Sequence, residues 1–88
     1  MKTFFTKKFK KNYIRRISPN KNLDKRFTKR YLLFVQNPQN KILEDHPLSG
    51  KMKGFRAISI TGGLRAIYYV HDDIVYFVDI GIHNQVYY

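Results

Sequence analysis

The chain has 88 residues, with 17 lysines and arginines against 6 aspartates and glutamates, and it contains neither cysteine nor tryptophan. A chain of this length forms one domain with a thin core, here residues 1–88, and a deep cleft between domains is excluded. The absence of cysteine excludes disulfide scaffolds, thiolate zinc sites and cysteine nucleophiles. The formal net charge of +11 favours a polyanionic partner, because binding to phosphate backbones releases counterions.

The positive charge is concentrated in the first half of the chain. Residues 1–43 carry 13 basic residues and one acid, a net charge of +12, whereas residues 44–88 have a net charge of −1. The sequence has no run of 18 apolar residues and no hydrophobic signal segment after its first residues. It therefore predicts a soluble, cytoplasmic protein without a membrane span.

Two amphipathic helices are predicted in the basic half. The first, over residues 7–17, has its apolar stripe at Phe9, Tyr13, Ile14 and Ile17. The second, which starts after residue 22 and runs to about residue 36, has its stripe at Leu23, Phe27, Tyr31, Phe34 and Val35. Pro19 and Pro38 follow the two stripes and end the helices. The segment 3–5 is compatible with a short strand, which the sequence alone does not establish.

The second half has the pattern of β-strands. Residues 39–53 have loop composition, and three segments rich in Ile, Val, Tyr and Phe follow at residues 55–60, 64–70 and 74–80. The short turns between them predict an antiparallel three-stranded meander. The last strand is apolar on both faces, which is typical of a central strand covered by helices. We expect an α+β fold in which two N-terminal helices pack on a small antiparallel sheet.

Few ionisable residues of the second half are candidates for chemistry. His46 precedes Pro47 in the predicted loop, and His83 follows the last strand. Either histidine taken alone is more typical of an ordinary surface residue than of a catalytic one. Arg56 and Arg65 are the only charges within their strands, so each must be paired, lie at an edge or face a functional surface. The three histidines show no metal-ligand spacing and no phosphate-binding glycine loop is present, so we expect neither a metal nor a cofactor.

Histidine, arginine, lysine and tyrosine on a basic scaffold are sufficient for RNA cleavage without a metal. The 2′-OH of the RNA is the nucleophile, a base and an acid transfer protons, and cations stabilise the charge on the phosphate. Arginine binds phosphate through two N–H groups, and tyrosine stacks on an unpaired base.

Three blocks, residues 45–56, 64–68 and 79–87, resemble the RelE/YafQ branch of the RelE/ParE superfamily of bacterial type II toxins. The resemblance implies a RelE-like two-layer fold and a ribosome-dependent endoribonuclease, or mRNA interferase, that cleaves mRNA in the ribosomal A site. It also implies a cognate antitoxin and a toxin–antitoxin hetero-oligomer. The catalytic residues it implies are His46, Arg65, His83 and Tyr87, and the RNA-binding residues are Lys51, Lys53 and Arg56.

The sequence departs from the family pattern at three positions. Ser59 stands where YafQ-like members have a second histidine, Gly63 replaces an acid, and the region of Asp79 lacks an arginine. These departures leave the general acid and base unassigned, and they leave open a weakened or inactive RNA-binding relative. ParE-like members share the fold but bind DNA gyrase without enzymatic activity, so a gyrase-binding toxin is the alternative prediction.

Overall fold

The helices and strands occur in the predicted order, with additional elements at three places. A computed structural model describes residues 1–87. The elements, in chain order, are β1 (Lys2–Phe5), α1 (Lys7–Arg16), α2 (Lys21–Gln36), β2 (His46–Pro47), β3 (Arg56–Ser59), β4 (Leu64–His71), β5 (Ile74–Ile82) and α3 (His83–Val86). Single 3₁₀ turns, Lys41–Leu43 and Gly50–Met52, flank β2. The predicted α+β class is confirmed.

The sheet has five strands in the order β1-β5-β4-β3-β2. The predicted antiparallel meander forms its centre, as β3, β4 and β5. The expectation of a purely antiparallel sheet is incomplete, because β1 pairs with β5 in parallel. β2, a strand of two residues inside the predicted loop, pairs with β3 at the opposite edge. β5 is therefore a central strand, as its apolar character predicts.

Side-chain caps determine where the two long helices begin. The hydroxyl of Thr6 accepts a hydrogen bond from the Phe9 N–H at 3.2 Å, at the start of α1. The Asn20 side chain accepts bonds from the N–H groups of Asn22 and Leu23, which is why α2 begins at Lys21. The predicted start, after residue 22, is thus two residues late.

The main core lies between the two long helices and one face of the sheet. Phe77 of β5 is fully buried, and its ring lies 5.9 Å from that of Phe9 in α1 and 5.6 Å from that of Phe34 in α2. Two predicted stripe residues are exceptions: Ile14 is 65% exposed on α1, and Val35 is half-buried outside this core. The other stripe residues belong to the core, as the helical spacing predicts. No helix within residues 1–87 has the length and apolar character needed to cross a bilayer.

A second, smaller core covers part of the other face of the sheet. Ala57, Ile67 and Val86 are fully buried there. The partly buried side chains packed against them are Leu48, Met52, Phe55, Val78 and Tyr87. This small core holds the connection after β2 and the short helix α3 against the sheet, and the two segments flank the candidate site.

Candidate active site

A cleft of about 680 Å³ lies between the connection after β2, the β3–β4 turn and α3. Its lining includes all four residues implied as catalytic, and one of the implied RNA-binding lysines: His46, Arg65, His83, Tyr87 and Lys51. The remaining lining residues are Leu48, Ser49, Met52, Gly62 and Gly63. The fold therefore brings together side chains from three separate parts of the second half of the chain.

His46 is held in one orientation by the backbone beside it. Its Nδ1 lies 2.8 Å from the carbonyl oxygen of Glu44. Because a carbonyl oxygen can only accept, Nδ1 carries the proton in this hydrogen bond. The neutral imidazole therefore has its lone pair on Nε2, and His46 is exposed at the cleft. This is the arrangement that a general base requires.

Arg65 is anchored by the turn that joins β3 and β4. Its Nη1 donates to the carbonyl oxygens of Thr61 at 2.8 Å and Gly62 at 3.2 Å. The same nitrogen lies 3.4 Å from the hydroxyl of Ser59, which is the cross-strand partner of Arg65. These bonds all involve Nη1, and a guanidinium has five N–H donors. The remaining donors are suited to binding an anion in the cleft.

His83 and Tyr87 are placed together by α3. The ring of His83, the first residue of this helix, lies 4.6 Å from the ring of Tyr87 at an interplanar angle of 68°. Burial raises the pKa of Tyr87, and the positive charge of Arg65 partly opposes this rise. Tyr87 therefore stays protonated near neutral pH, and it supports His83 with an edge-on aromatic contact.

The other two implied RNA-binding residues lie outside the cleft. Lys53 is exposed in the turn before β3. Arg56 donates from Nε to Oδ1 of Asp45 at 3.0 Å and lines a separate hollow of about 560 Å³. Burial alone would lower the pKa of Arg56, but its hydrogen bonds with Asp45 and Tyr68 and the Asp45 charge raise it. The structure therefore gives Arg56 a carboxylate partner within the protein.

A family model of YafQ, a bacterial toxin of type II toxin–antitoxin systems, matches residues 1–88. The chain belongs to the YafQ toxin family. No match to a curated protein sequence was found.

Solved structures of bacterial toxins share the fold of this YafQ-family chain. YafQ from E. coli strain BL21(DE3) is 19% identical over 98% of this chain and 97% of its own, with a TM-score of 0.81. A copper-bound mutant toxin from Helicobacter pylori is 26% identical over 99% of both chains, with a TM-score of 0.74. The E. coli DinJ–YafQ toxin–antitoxin complex matches at 20% identity over 98% of this chain and 96% of that chain, with a TM-score of 0.76.

Of the three departures from the family pattern, one lines the cleft of this YafQ-family chain, one contacts the cleft residue Arg65 from within the protein, and the third lies elsewhere. The buried hydroxyl of Ser59 donates to the Thr61 carbonyl at 2.9 Å, so this side chain stabilises the turn that holds Arg65. Gly63 lines the cleft without a functional group. Asp79 is buried and contacts α1 on the opposite side of the sheet, where its Oδ1 accepts from Asn12 at 2.7 Å.

Two further side chains at this YafQ-family site were missed in the sequence analysis. Tyr68 is buried in β4, and its hydroxyl donates to Oδ2 of Asp45, the residue before His46. In the sequence both residues stand out only as members of the blocks 45–56 and 64–68, and neither is predicted to have a role at the site. No group of three or more histidine, aspartate or glutamate side chains within residues 1–87 is placed to hold a metal ion.

Proposed function

We propose that this YafQ-family toxin cleaves mRNA on the ribosome, using the 2′-OH of the RNA as the nucleophile and no metal ion. The observation that supports this function is the convergence of two histidines, an arginine and a tyrosine in one cleft. Histidines transfer protons near neutral pH, and an arginine stabilises a phosphate on which negative charge develops.

The orientation of His46 favours it as the general base. Its Nε2 takes the proton from the 2′-OH, O2′ forms a bond to phosphorus, and the bond from phosphorus to O5′ breaks. His83, in its protonated form, donates a proton to O5′. Arg65 and Lys51 stabilise the negative charge on the phosphate oxygens, and Tyr87 stacks on a base. The products are a 2′,3′-cyclic phosphate and a 5′-OH, so no water molecule enters this step.

The charge distribution supports docking on the ribosome. The +12 half of the chain contains both long helices and is suited to ribosomal RNA, whereas the chemistry lies in the near-neutral half. Exposed Lys53 follows the cleft residue Met52 and would contact the mRNA outside the cleft, whereas Arg56 is bonded to Asp45. A shallow cleft is adequate if the ribosome supplies the other walls around the A-site codon.

A cognate antitoxin is the proposed protein partner, in a toxin–antitoxin hetero-oligomer in the cytoplasm. The fold is shared with the toxin of the E. coli DinJ–YafQ complex. An apolar groove of about 300 Å³, with Phe9, Phe27 and Lys10 in its lining, lies beside α1 and α2 on the basic half. An acidic segment with apolar anchors would match both the charge and the groove.

The test is to induce the protein in cells and to map mRNA ends. The proposal expects cuts positioned by codon, and it expects Arg65→Ala and His83→Ala each to lower cleavage by roughly 10² or more without unfolding. His71→Ala, at the exposed end of β4, is the matched histidine control and should cleave normally. Growth arrest with intact mRNA and blocked replication would instead favour the gyrase-binding alternative.

A further inference from the structure

Both carboxylate oxygens of Asp45 are engaged by the two strands beside it. Oδ1 accepts from Arg56 Nε at 3.0 Å, and Oδ2 accepts from the Tyr68 hydroxyl. Arg56 and Tyr68 are directly opposite each other in the β3–β4 ladder, so the carboxylate joins two neighbouring strands. The ring of Tyr68 is buried against Phe34, 5.1 Å between centroids. Asp45 is therefore attached to the rigid centre of the fold.

The peptide that precedes Asp45 has an uncommon conformation. Glu44 has φ 48° and ψ 38°, the left-handed region that residues other than glycine rarely adopt. Its N–H is held by the Lys41 carbonyl at 3.1 Å. In this conformation the Glu44 carbonyl oxygen accepts the Nδ1 proton of His46. That oxygen belongs to the peptide bond between Glu44 and Asp45, so anchoring Asp45 fixes the acceptor.

We propose that Asp45, held by Arg56 and Tyr68, is a positioning residue that sets the proton tautomer of His46. The anchored Glu44–Asp45 peptide keeps its carbonyl oxygen hydrogen-bonded to His46 Nδ1. The neutral ring therefore presents an unprotonated Nε2 to the cleft. The importance of this tautomer for RNA cleavage rests on the proposed function. Arg56 then acts through Asp45. By holding Asp45 it fixes the Glu44 carbonyl oxygen, which accepts the Nδ1 proton of His46.

Loss of either contact frees the Glu44–Asp45 peptide. Glu44 would relax towards negative φ, where its carbonyl turns away and Nδ1 loses its acceptor. A free imidazole favours the proton on Nε2, and a ring in that tautomer cannot accept the 2′-OH proton at Nε2. Glu44 and Asp45 lie on the same segment as His46, and Arg56 lies on the strand paired with it. Lys51, Arg65 and His83 line the same cleft. None of these is removed by a Tyr68→Phe substitution.

The direct test is the ¹⁵N NMR spectrum of the His46 ring in the intact protein, recorded above the pH at which the ring loses its charge. The wild type should show a protonated Nδ1 and an unprotonated Nε2. Tyr68→Phe and Asp45→Ala should move protons onto Nε2. Tyr13→Phe is the matched control, because it removes a tyrosine–aspartate hydrogen bond, to Asp24, on the helices. It should leave the His46 spectrum unchanged.

A second pair of variants tests the backbone directly. Glu44→Gly should keep the Nδ1-protonated form, because glycine adopts positive φ without strain. Glu44→Val should lose that form, because a branched side chain is strongly disfavoured in the left-handed region. Circular dichroism and thermal unfolding confirm that each variant is folded. A wild-type ring protonated on Nε2, or equal spectra for Glu44→Gly and Glu44→Val, would overturn the inference.

Cleavage of mRNA on ribosomes separates this inference from the proposed function. Tyr68→Phe should lower kcat tenfold or more with KM within about twofold, and Arg56→Met should do the same. A rise in KM alone for Arg56→Met would assign it to RNA binding and reject the positioning role. Normal kcat in Tyr68→Phe would reject it as well. A wild-type protein that cleaves no RNA but shows the expected tautomers would refute only the proposed function.

Discussion

The buried carboxylate of Asp79 should contribute strongly to stability, and Asp79→Ala tests how α1 is attached to the sheet. Asp79 is 2% exposed in β5. Its Oδ1 accepts from Asn12 at 2.7 Å, from the Ile80 N–H at 2.9 Å and from Arg16 at 3.2 Å. The Lys8 Nζ lies 3.6 Å from Oδ2. Alanine removes the charge and all of these acceptor sites together.

The loss can be estimated contact by contact. Asn12 is 6% exposed, and leaving its amide without an acceptor costs about 1–3 kcal/mol. The Ile80 N–H loses the same acceptor oxygen. Arg16 keeps a bond of 3.0 Å to the Ile80 carbonyl, so its share is below about 1 kcal/mol. We expect a loss of about 2–4 kcal/mol, out of a total near 4–13 kcal/mol at 0.05–0.15 kcal/mol per residue.

Urea unfolding of Asp79→Ala, Asn12→Ala and the double variant measures this loss. The coupling between the two positions should be about 1–3 kcal/mol, because they share one buried hydrogen bond. Asp24→Ala is the control, since the Asp24 carboxylate also binds a side chain but is exposed. A loss in Asp79→Ala no greater than in Asp24→Ala would refute the claim that this buried network attaches α1 to β5.

Two further predictions concern β4 and β5. Burial, and to a smaller extent the hydrogen bond with Asp45, raises the pKa of Tyr68 above its usual value of about 10. The protonated Tyr68 hydroxyl therefore stabilises the folded state fully below about pH 10, and this contribution is lost as the pH rises towards the folded-state pKa. Urea unfolding at increasing pH above 10 should show a decline of at most about 1.4 kcal/mol per pH unit from this residue, and Tyr68→Phe should remove that part. Gly81→Ala would place a Cβ 2.6 Å from Gln85 Oε1 and 2.9 Å from Arg16 Nη1. Gln85 Oε1 accepts the Ile82 N–H at the start of α3, so displacing Gln85 would disturb the helix that carries His83. Cleavage assays should show about a tenfold loss of rate, and urea unfolding should show a loss of about 1–2 kcal/mol in the free energy of unfolding. Normal cleavage would contradict this role of Gly81.

The helices and the central meander could be predicted because their signals are local. Helical spacing identified Phe9 and Phe27, and β-rich segments with short turns identified β3, β4 and β5. The parallel pairing of β1 with β5 could not be predicted, because Phe5 and Phe77 pair across almost the whole chain. β2 could not be predicted either, since a strand of two residues has no periodicity.

The candidate site was only partly accessible to sequence reasoning. His46, Arg65, His83 and Tyr87 were implied by a family resemblance, and the fold brings them into one cleft. The anchoring of Asp45 by Tyr68 spans 23 positions and depends on the strand register, so no motif reveals it. The left-handed conformation of Glu44 was equally hidden, because glutamate carries no sequence signal for positive φ.

The chemical nature of the RNA ends tests the central claim most directly. Purified protein is mixed with ribosomes programmed with a defined mRNA, and the two ends at each cut are identified, with Arg65→Ala as the inactive reference. The account predicts a 2′,3′-cyclic phosphate, or the 3′-phosphate formed from it, and a 5′-OH at the matching fragment. Cuts that leave a 3′-OH and a 5′-phosphate would contradict it, because they require water as the nucleophile.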